Sequence, residues 1–251
     1  MDRPSATDGP AWSVTRVAET GSTNDDLAVA ARRGAPDRTV LVTDHQTAGR
    51  GRLGRRWEAP PGANLLVSVL VRPAAATANR LHGVTQAMAL AARQACAEVA
   101  GFTPVLKWPN DLLVDDRKLA GILAEAVADG GRVSAVVVGL GLNVGWPEAP
   151  TTDAVSAAAV AGRPVDRDAL LDAVLRHLAE RLAQWEHDPD VLRDDYRAAL
   201  GTIGRQVRVE TPSAVLEGVA VDVRPSGELV VDAGGTRHEI GVGDVIHLRS
   251  A

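Results

Sequence analysis

The sequence predicts an α/β protein of the α+β kind: a mixed, largely antiparallel sheet flanked by helices, followed by a small C-terminal β-barrel. Three observations predict this. Strand-like runs in the middle of the chain follow one another at hairpin spacing, which implies antiparallel pairing. Alanine- and leucine-rich stretches of helical character lie on either side of them. After about Gly201 to Gly204 the pattern changes for good to short β-rich runs punctuated by turn residues. The 251 residues suit one large domain or a main domain with a small partner. We divide them into a flexible tail over 1–12, a main domain over 13–202 and a barrel over 203–251.

Ser13 to Ala18 alternates weakly and reads as a strand. Ser22-Thr23-Asn24 offers capping oxygens to a helix that opens with Asp25 and Asp26 and stops at Gly34. Thr39 to Thr43 is a buried β-branched strand, and Asp44 to Asn64 is a long loop of the kind that is usually functional or disordered. Leu65 to Val71 resumes as strand; Asn79 caps a helix over Arg80 to Val99, on which Cys96 is a small core residue. Val105 to Trp108, Leu112 to Val114, Leu119 to Val127 and Val133 to Val138 are strands, with turns at Asp115-Asp116-Arg117 and Asp129-Gly130-Gly131. Asp168 to Trp185 and Val191 to Leu200 are amphipathic helices. The tail runs Gln206 to Glu210, Ala214 to Val223, Leu229 to Asp232, His238 to Gly241 and Val245 to Leu248 read as a small barrel.

Composition excludes several classes. The longest charge-free stretch, Val133 to Pro147, falls short of the ~20 apolar residues a membrane helix needs and holds Gly139, Gly141, Asn143 and Gly145. The N-terminus lacks the apolar core of a signal peptide and a lone cysteine makes no internal disulfide, so a reducing, cytoplasmic setting is expected. A net charge of −5 argues against nucleic acid or an anionic membrane as a partner. Basic chemistry must therefore be local, and Arg50, Arg52, Arg55 and Arg56 supply it. Lysine is used only twice, at Lys107 and Lys118. In an arginine-rich chain a retained lysine can mark a need for a compact ammonium, although chance accounts equally well for one of the two.

Gly49-Arg50-Gly51-Arg52-Leu53-Gly54 matches the dinucleotide fingerprint in letters only. No helix opens at the glycines and no acid follows at the ribose spacing. It reads instead as a loop whose glycines let backbone approach a ligand and whose arginines attract an anion. Lys107-Trp108-Pro109-Asn110-Asp111 sets an ammonium, a carboxamide and a carboxylate around a rigid proline; for Lys107, a plain strand-end charge pairing with Asp111 stays open. Gly121, inside the strand that follows Lys118, suggests close approach of a ligand or another backbone. The six histidines lack ligand spacing, and no serine-nucleophile elbow is present.

Five segments occur in order: Gly21-Ser22-Thr23-Asn24, Gln46 through Trp57, Lys107 through Asp111, Arg117-Lys118-Leu119-Ala120-Gly121-Ile122-Leu123, and Gly139-Leu140-Gly141-Leu142-Asn143-Val144. Together they resemble the biotin protein ligases from about Ser13 onward. The resemblance implies a biotin/lipoate ligase-like catalytic domain with an SH3-like barrel. It implies two steps: biotin and ATP give biotinyl-5′-AMP and pyrophosphate, then a lysine of a biotin carboxyl carrier domain takes the biotinyl group. Mg²⁺ is expected with ATP and at no fixed protein site.

The same resemblance implies biotin contacts at Ser22, Thr23, Asn24, Gln46, Gly49, Arg50, Gly51, Arg52, Lys118 and Gly121. It implies adenylate contacts at Arg52, Trp57, Asn110, Lys118 and Asn143, with Trp57 over the adenine and Asn143 at its edge. The catalytic set is Lys118, Arg50, Arg52 and Asp111, the last orienting or deprotonating the acceptor amine. All these contacts precede Gly145, so the pocket is expected to be complete without the barrel. Too few residues precede Gly21 for a winged helix-turn-helix, so a monofunctional enzyme is expected and a biotin-responsive regulator or a pure biotin-binding module is disfavoured. A lipoate or octanoate transferase of the same fold is the alternative.

Overall fold

A computed structural model describes residues 11–72, 81–129, 132–146, 151–211 and 214–248. The expected tail before Ala11, the Asn79 cap, Arg80 and the turn at 130–131 lie outside these residues. The first sheet has seven strands: β1 (Ser13–Thr20), β2 (Thr39–Gln46), β3 (Asn64–Val71), β4 (Val105–Lys107), β5 (Asp111–Val114), β6 (Arg117–Asp129) and β7 (Arg132–Asn143). Their spatial order is β1-β2-β3-β7-β6-β5-β4. Only β1 and β2 pair parallel, because helix α1 (Thr23–Arg32) supplies the crossover between them.

Side chains alternate between two faces along the central strands. Leu65, Val67, Val69 and Val71 of β3 join Val136, Val138, Leu140 and Leu142 of β7 in the larger core. That core lies under α2 (Leu81–Ala95), α4 (Arg167–His187) and α5 (Pro189–Ala199); α3 is a single short helix, Ala157–Ala161. On the opposite face Leu41, Leu70, Val127, Ala135 and Val137 pack against Leu27 and Ala31 of α1. Helix α1 reaches only part of this second face. The rest, Ser68, Gly121, Leu123, Gly139 and Gly141, is left to form the floor of a cavity.

Local differences from the sequence-based expectations have physical causes. Strand β2 continues through Gln46, and the loop then folds back, with Trp57 N donating to Gly49 O at 3.0 Å. Helix α2 gives way to a π-helical turn at Cys96–Ala100 that ends on Gly101, whose φ of 81° suits glycine. Burial pushes the Cys96 thiol up to about 12, so it stays protonated and inert. Strand β7 runs on past Val138 to Asn143, through glycines that disfavour a strand by propensity; Asn24 of α1 and Trp57 of the loop fill the space above them.

The second sheet is antiparallel, in the order β11-β10-β9-β8-β12: β8 (Gln206–Glu210), β9 (Val215–Val223), β10 (Leu229–Ala233), β11 (Thr236–Ile240) and β12 (Asp244–His247). It is pinned to the first by Trp108. The indole of Trp108, 2% exposed, donates from Nε1 to Gly227 O at 2.9 Å, and its backbone N–H donates to Thr202 Oγ1 at 3.0 Å. Arg205 adds an ion pair to Asp116 at 2.7 Å and donates to His247 Nδ1, which leaves His247 Nε2–H to meet Thr202 Oγ1 at 3.1 Å. Among the described residues no helix is long and apolar enough to cross a membrane.

Burial, reinforced by Lys107 and Arg205, lowers the His247 pKa to about 4. The folded protein thus holds this imidazole neutral, whereas the unfolded chain protonates it near 6.5. The stabilising contribution is whole above that value and is lost as pH falls through the window down to about 4. Melting temperatures measured across that window should therefore fall less steeply for His247→Gln than for the parent.

Candidate functional site

The cavity on the uncovered face encloses about 280 Å³. It brings together Ser22, Thr23, Asn24, Gln46, Arg50, Gly51, Arg52, Trp57, Asn110, Asp111, Lys118 and Gly121. Gly49 and Asn143 stand outside its lining. A Cβ on Gly49 would strike the Trp57 carbonyl, so this glycine serves the closure of the loop. Asn143 is 1% exposed; it donates to Lys118 O at 3.1 Å and Val155 O at 3.2 Å, and its Oδ1 accepts from Asn64. The amide expected at an adenine edge is already engaged with protein, where it fastens the strand that carries Lys118.

One end of the cavity is a polar floor. Ser22 caps α1, with Asp25 N donating to its Oγ at 3.4 Å, and the turn that follows aims Thr23 and Asn24 at the sheet. Thr23 N and Oγ1 both donate to Gln46 Oε1, at 2.9 and 3.0 Å. This fixes the Gln46 amide so that its Nε2 has no acceptor among the described residues. Asn24 donates to Leu123 O at 3.1 Å and Glu125 Oε2 at 2.8 Å, which directs its Oδ1 to Ser68 Oγ at 2.6 Å. Ser68 Oγ also lies 2.7 Å from Thr23 Oγ1.

The contacts Asn24–Ser68, Ser68–Thr23 and Thr23–Gln46 draw on only two hydroxyl protons. The floor is therefore short of donors, and a ligand that brings N–H groups completes it.

The other end carries charge. Lys118 Nζ pairs with Asp111 Oδ1 at 2.7 Å, an ionic contact in which that oxygen receives no well-directed hydrogen bond. Lys107 stands opposite Asp111 across the β4–β5 pair and lines the same cavity. Burial lowers the pKa of its ammonium, Lys118 nearby adds to the effect, and Asp111 opposes it. Arg52 donates to Asn110 Oδ1 and Gly243 O, each at 3.4 Å, and burial lowers its pKa against the pull of Asp244 and Asp111. Asn110 Nδ2 in turn donates to Ile122 O at 2.7 Å. Among the described residues no three His, Cys, Asp or Glu side chains gather in a way that could hold a metal.

Two expectations change here. The other loop arginines do not form a free anion trap. Arg50 Nη2 is held by Asp25 at 2.5 Å and Glu125 at 2.7 Å, Arg55 pairs with Asp244, and Arg56 lies 3.6 Å from Glu58. Arg50 and Arg55 thus fasten the loop across the cavity to α1, β6 and the second sheet, through ion pairs that stay partly exposed. Nor is the cavity lined only by residues before Gly145: Glu210, Asp244, Val245 and Ile246 of the second sheet line it as well.

Trp57 lies flat on a cross-strand glycine pair, Gly121 and Gly141. Its ring sits under Lys118 Nζ, 5.5 Å from the ring centre, a cation–π contact. Its buried Nε1–H has no acceptor among the described residues. Sequence pattern singled out Gly121 but missed Gly139 and Gly141; their signal is glycine at alternate positions on one strand face, cross-strand from another.

Comparison with known proteins agrees with this geometry. Residues 20–143 match the Biotin/lipoate A/B protein ligase family and residues 202–248 match the Biotin protein ligase C terminal domain. The chain is 41% identical to the biotin--[acetyl-CoA-carboxylase] ligase of Mycobacterium tuberculosis, over 96% of this chain and 91% of that one. The chain belongs to the biotin/lipoate A/B protein ligase family.

Within that family it is also 32% identical to the bifunctional ligase/repressor BirA of Bacillus subtilis, over 80% of this chain and 64% of the relative. Among solved structures, the biotin protein ligase from Aquifex aeolicus in complex with biotin and ATP superposes with a TM-score of 0.80 at 25% identity, covering 95% of this chain and 99% of that one. The family's fold, a mixed sheet flanked by helices with an antiparallel sheet behind it, is the one seen here.

The seat of Trp57 is open to test. A Cβ on Gly141 would lie 2.5 Å from Trp57 Cε2, so Gly141→Ala should expel the indole and cost roughly 1–3 kcal/mol as overpacking. Acrylamide quenching of tryptophan emission should reveal one extra accessible indole in Gly141→Ala, and that extra component should vanish in Gly141→Ala/Trp57→Phe.

Proposed function

We propose that this chain is a biotin protein ligase that makes biotinyl-5′-AMP from biotin and ATP and passes the biotinyl group to a lysine of a carrier domain. One observation carries the reading: a single cavity joins a donor-hungry polar floor to a cationic end. A ureido ring brings two N–H donors and a carbonyl. The Thr23–Ser68 floor takes the donors, and Gln46 Nε2 and Ser22 Oγ offer hydrogens to the carbonyl. A dithiolane ring has neither and would leave the floor unsatisfied, which weakens binding more than a missing apolar contact does.

In the first step a carboxylate oxygen attacks the α-phosphorus of ATP and the bond to pyrophosphate breaks. Both reactants are anions, so fixed cations lower the barrier. Lys118 is the cation at the reacting atoms, with Arg52 and Lys107 on the same wall. Trp57, fixed on its glycine pair, offers a flat apolar face for adenine. Mg²⁺ arriving with ATP would neutralise charge on the departing phosphates; Asp111 and Asp244 are the nearby carboxylates that could face it. In the second step the acceptor amine attacks the acyl carbon and AMP leaves. Asp111, paired with Lys118, is positioned to take the amine's proton. The carrier domain of an acyl-CoA carboxylase and a cytoplasmic setting complete the proposal.

The direct test mixes the purified full chain with ATP, Mg²⁺, a biotin carboxyl carrier domain and either biotin or lipoate, and reads acceptor mass. A mass increase with biotin and none with lipoate supports the proposal; the reverse pattern, or none with either, overturns it. Lys118→Ala should lower the rate of biotinyl-AMP formation ~10²–10³-fold with the fold intact. Lys118→Arg should also be poor, because a planar fork does not replace a point charge. Single-turnover assays of pyrophosphate release check both variants.

A further inference from the structure

We propose that Glu125 is a positioning residue that ties the arginine-glycine loop to the polar floor of the cavity, with Asp25 as its second anchor. The inference rests on the biotin ligase reading of that cavity and adds residues that the reading does not use.

Glu125 lies on β6 with its side chain on the uncovered face of the sheet, two residues from Leu123. Its Oε2 accepts from two different sources: Arg50 Nη2 of the loop at 2.7 Å and Asn24 Nδ2 of the floor at 2.8 Å. The same Arg50 nitrogen reaches Asp25 Oδ1 on α1 at 2.5 Å. From Asn24 the chain of contacts continues through Ser68 and Thr23 to Gln46. One carboxylate thus links the lid of the cavity to the hydrogen-bonded side chains of its floor.

The geometry suits positioning better than stability. The side chains of Arg50, Asp25 and Glu125 are 41%, 55% and 31% exposed, and exposed ion pairs add little to folding free energy. Asn24, however, is 5% exposed, so the direction of its amide depends on the acceptor it is given. Two carboxylates on separate elements, α1 and β6, also define where Arg50 sits more narrowly than one would. With Arg50 placed, the backbone of Gly51 and the side chain of Arg52 are placed over the cavity. Loss of the tie would release the loop, while Leu123 O and Ser68 still hold Asn24, so biotin would meet a lid that it must order for itself.

The test compares the full-length parent with Glu125→Gln, which keeps an oxygen for Asn24 and removes the charge that holds Arg50, and with Asp25→Asn. In Glu125→Gln, KM for biotin should rise about 5-fold, the most that a partly exposed ion pair can contribute to preordering the lid. The kcat at saturating biotin should stay within about 3-fold, because Lys118 and Arg52 are retained. Without ligand, tryptic cleavage after Arg50 should be at least ~5-fold faster than in the parent, and saturating biotin should restore protection. Asp25→Asn should move both readouts the same way by less. A purely structural role would lower the melting temperature and active fraction without this split. An unchanged KM with unchanged cleavage after Arg50 would overturn the proposal, as would a fall in kcat with KM preserved. If instead the parent fails to bind biotin, the ligase reading fails, while the cleavage assay still reports whether Glu125 holds the loop.

Discussion

Four guanidinium groups within seven residues repel one another, and a loop that carries them can lie across a cavity only if other elements neutralise it. Carboxylates from α1, β6 and β12 do so, at Asp25, Glu125 and Asp244. The rest of the site depends on that pairing. With the loop fastened, Trp57 reaches the glycine pair on β6 and β7, Arg52 reaches Asn110, and β12 closes one side of the cavity. The arginine count overstates the free positive charge of the site: among the loop arginines, the structure gives Arg52 hydrogen bonds but no ion pair. That leaves Lys118, Arg52 and Lys107 as the cations lining the cavity to which we assign the proposed chemistry. Most of the loop's charge thus holds structure and Arg52 remains at the cavity.

The sheet below imposes the second constraint. Its uncovered face needs a flat floor beside α1, and glycines at 121, 139 and 141 provide one. The space above each is filled by a side chain that also builds the pocket, Asn24 over Gly139 and Trp57 over Gly121 and Gly141. Backbone that would be weak as a strand is stabilised by those same residues. Folding and site assembly are coupled there, and a side chain larger than hydrogen at Gly139 or Gly141 disturbs both.

Much of this was legible in the sequence. The loop motifs keep their chemistry in consecutive residues, so the resemblance to biotin protein ligases could point to Ser22, Gln46, Arg52, Asp111 and Lys118, which the fold brings to one cavity. Helices and barrel strands followed from periodicity and turn residues. Glu125, Ser68 and Asp244 were not visible, because each is an ordinary member of its strand until register brings it opposite a distant partner: Ser68 beside Gly139, Glu125 beside Arg50, Asp244 beside Arg55. The end of β7 was misplaced for a related reason. Glycine argues against strand locally, and the side chains that compensate come from residues more than eighty positions away. The contribution of the second sheet to the cavity was missed because its lining residues carry no motif.

The central claim is that this cavity activates a carboxylate on the α-phosphorus of ATP and then yields the acyl group to an amine. Biotin labelled with ¹⁸O in both carboxylate oxygens, turned over with ATP, Mg²⁺ and a carrier domain, tests it most directly. The oxygen that attacks phosphorus must leave with the nucleotide when the amide forms. The account predicts AMP bearing one ¹⁸O per biotinyl group transferred, with unlabelled pyrophosphate. Label in inorganic phosphate alongside ADP, or amide formation with unlabelled AMP, would contradict it.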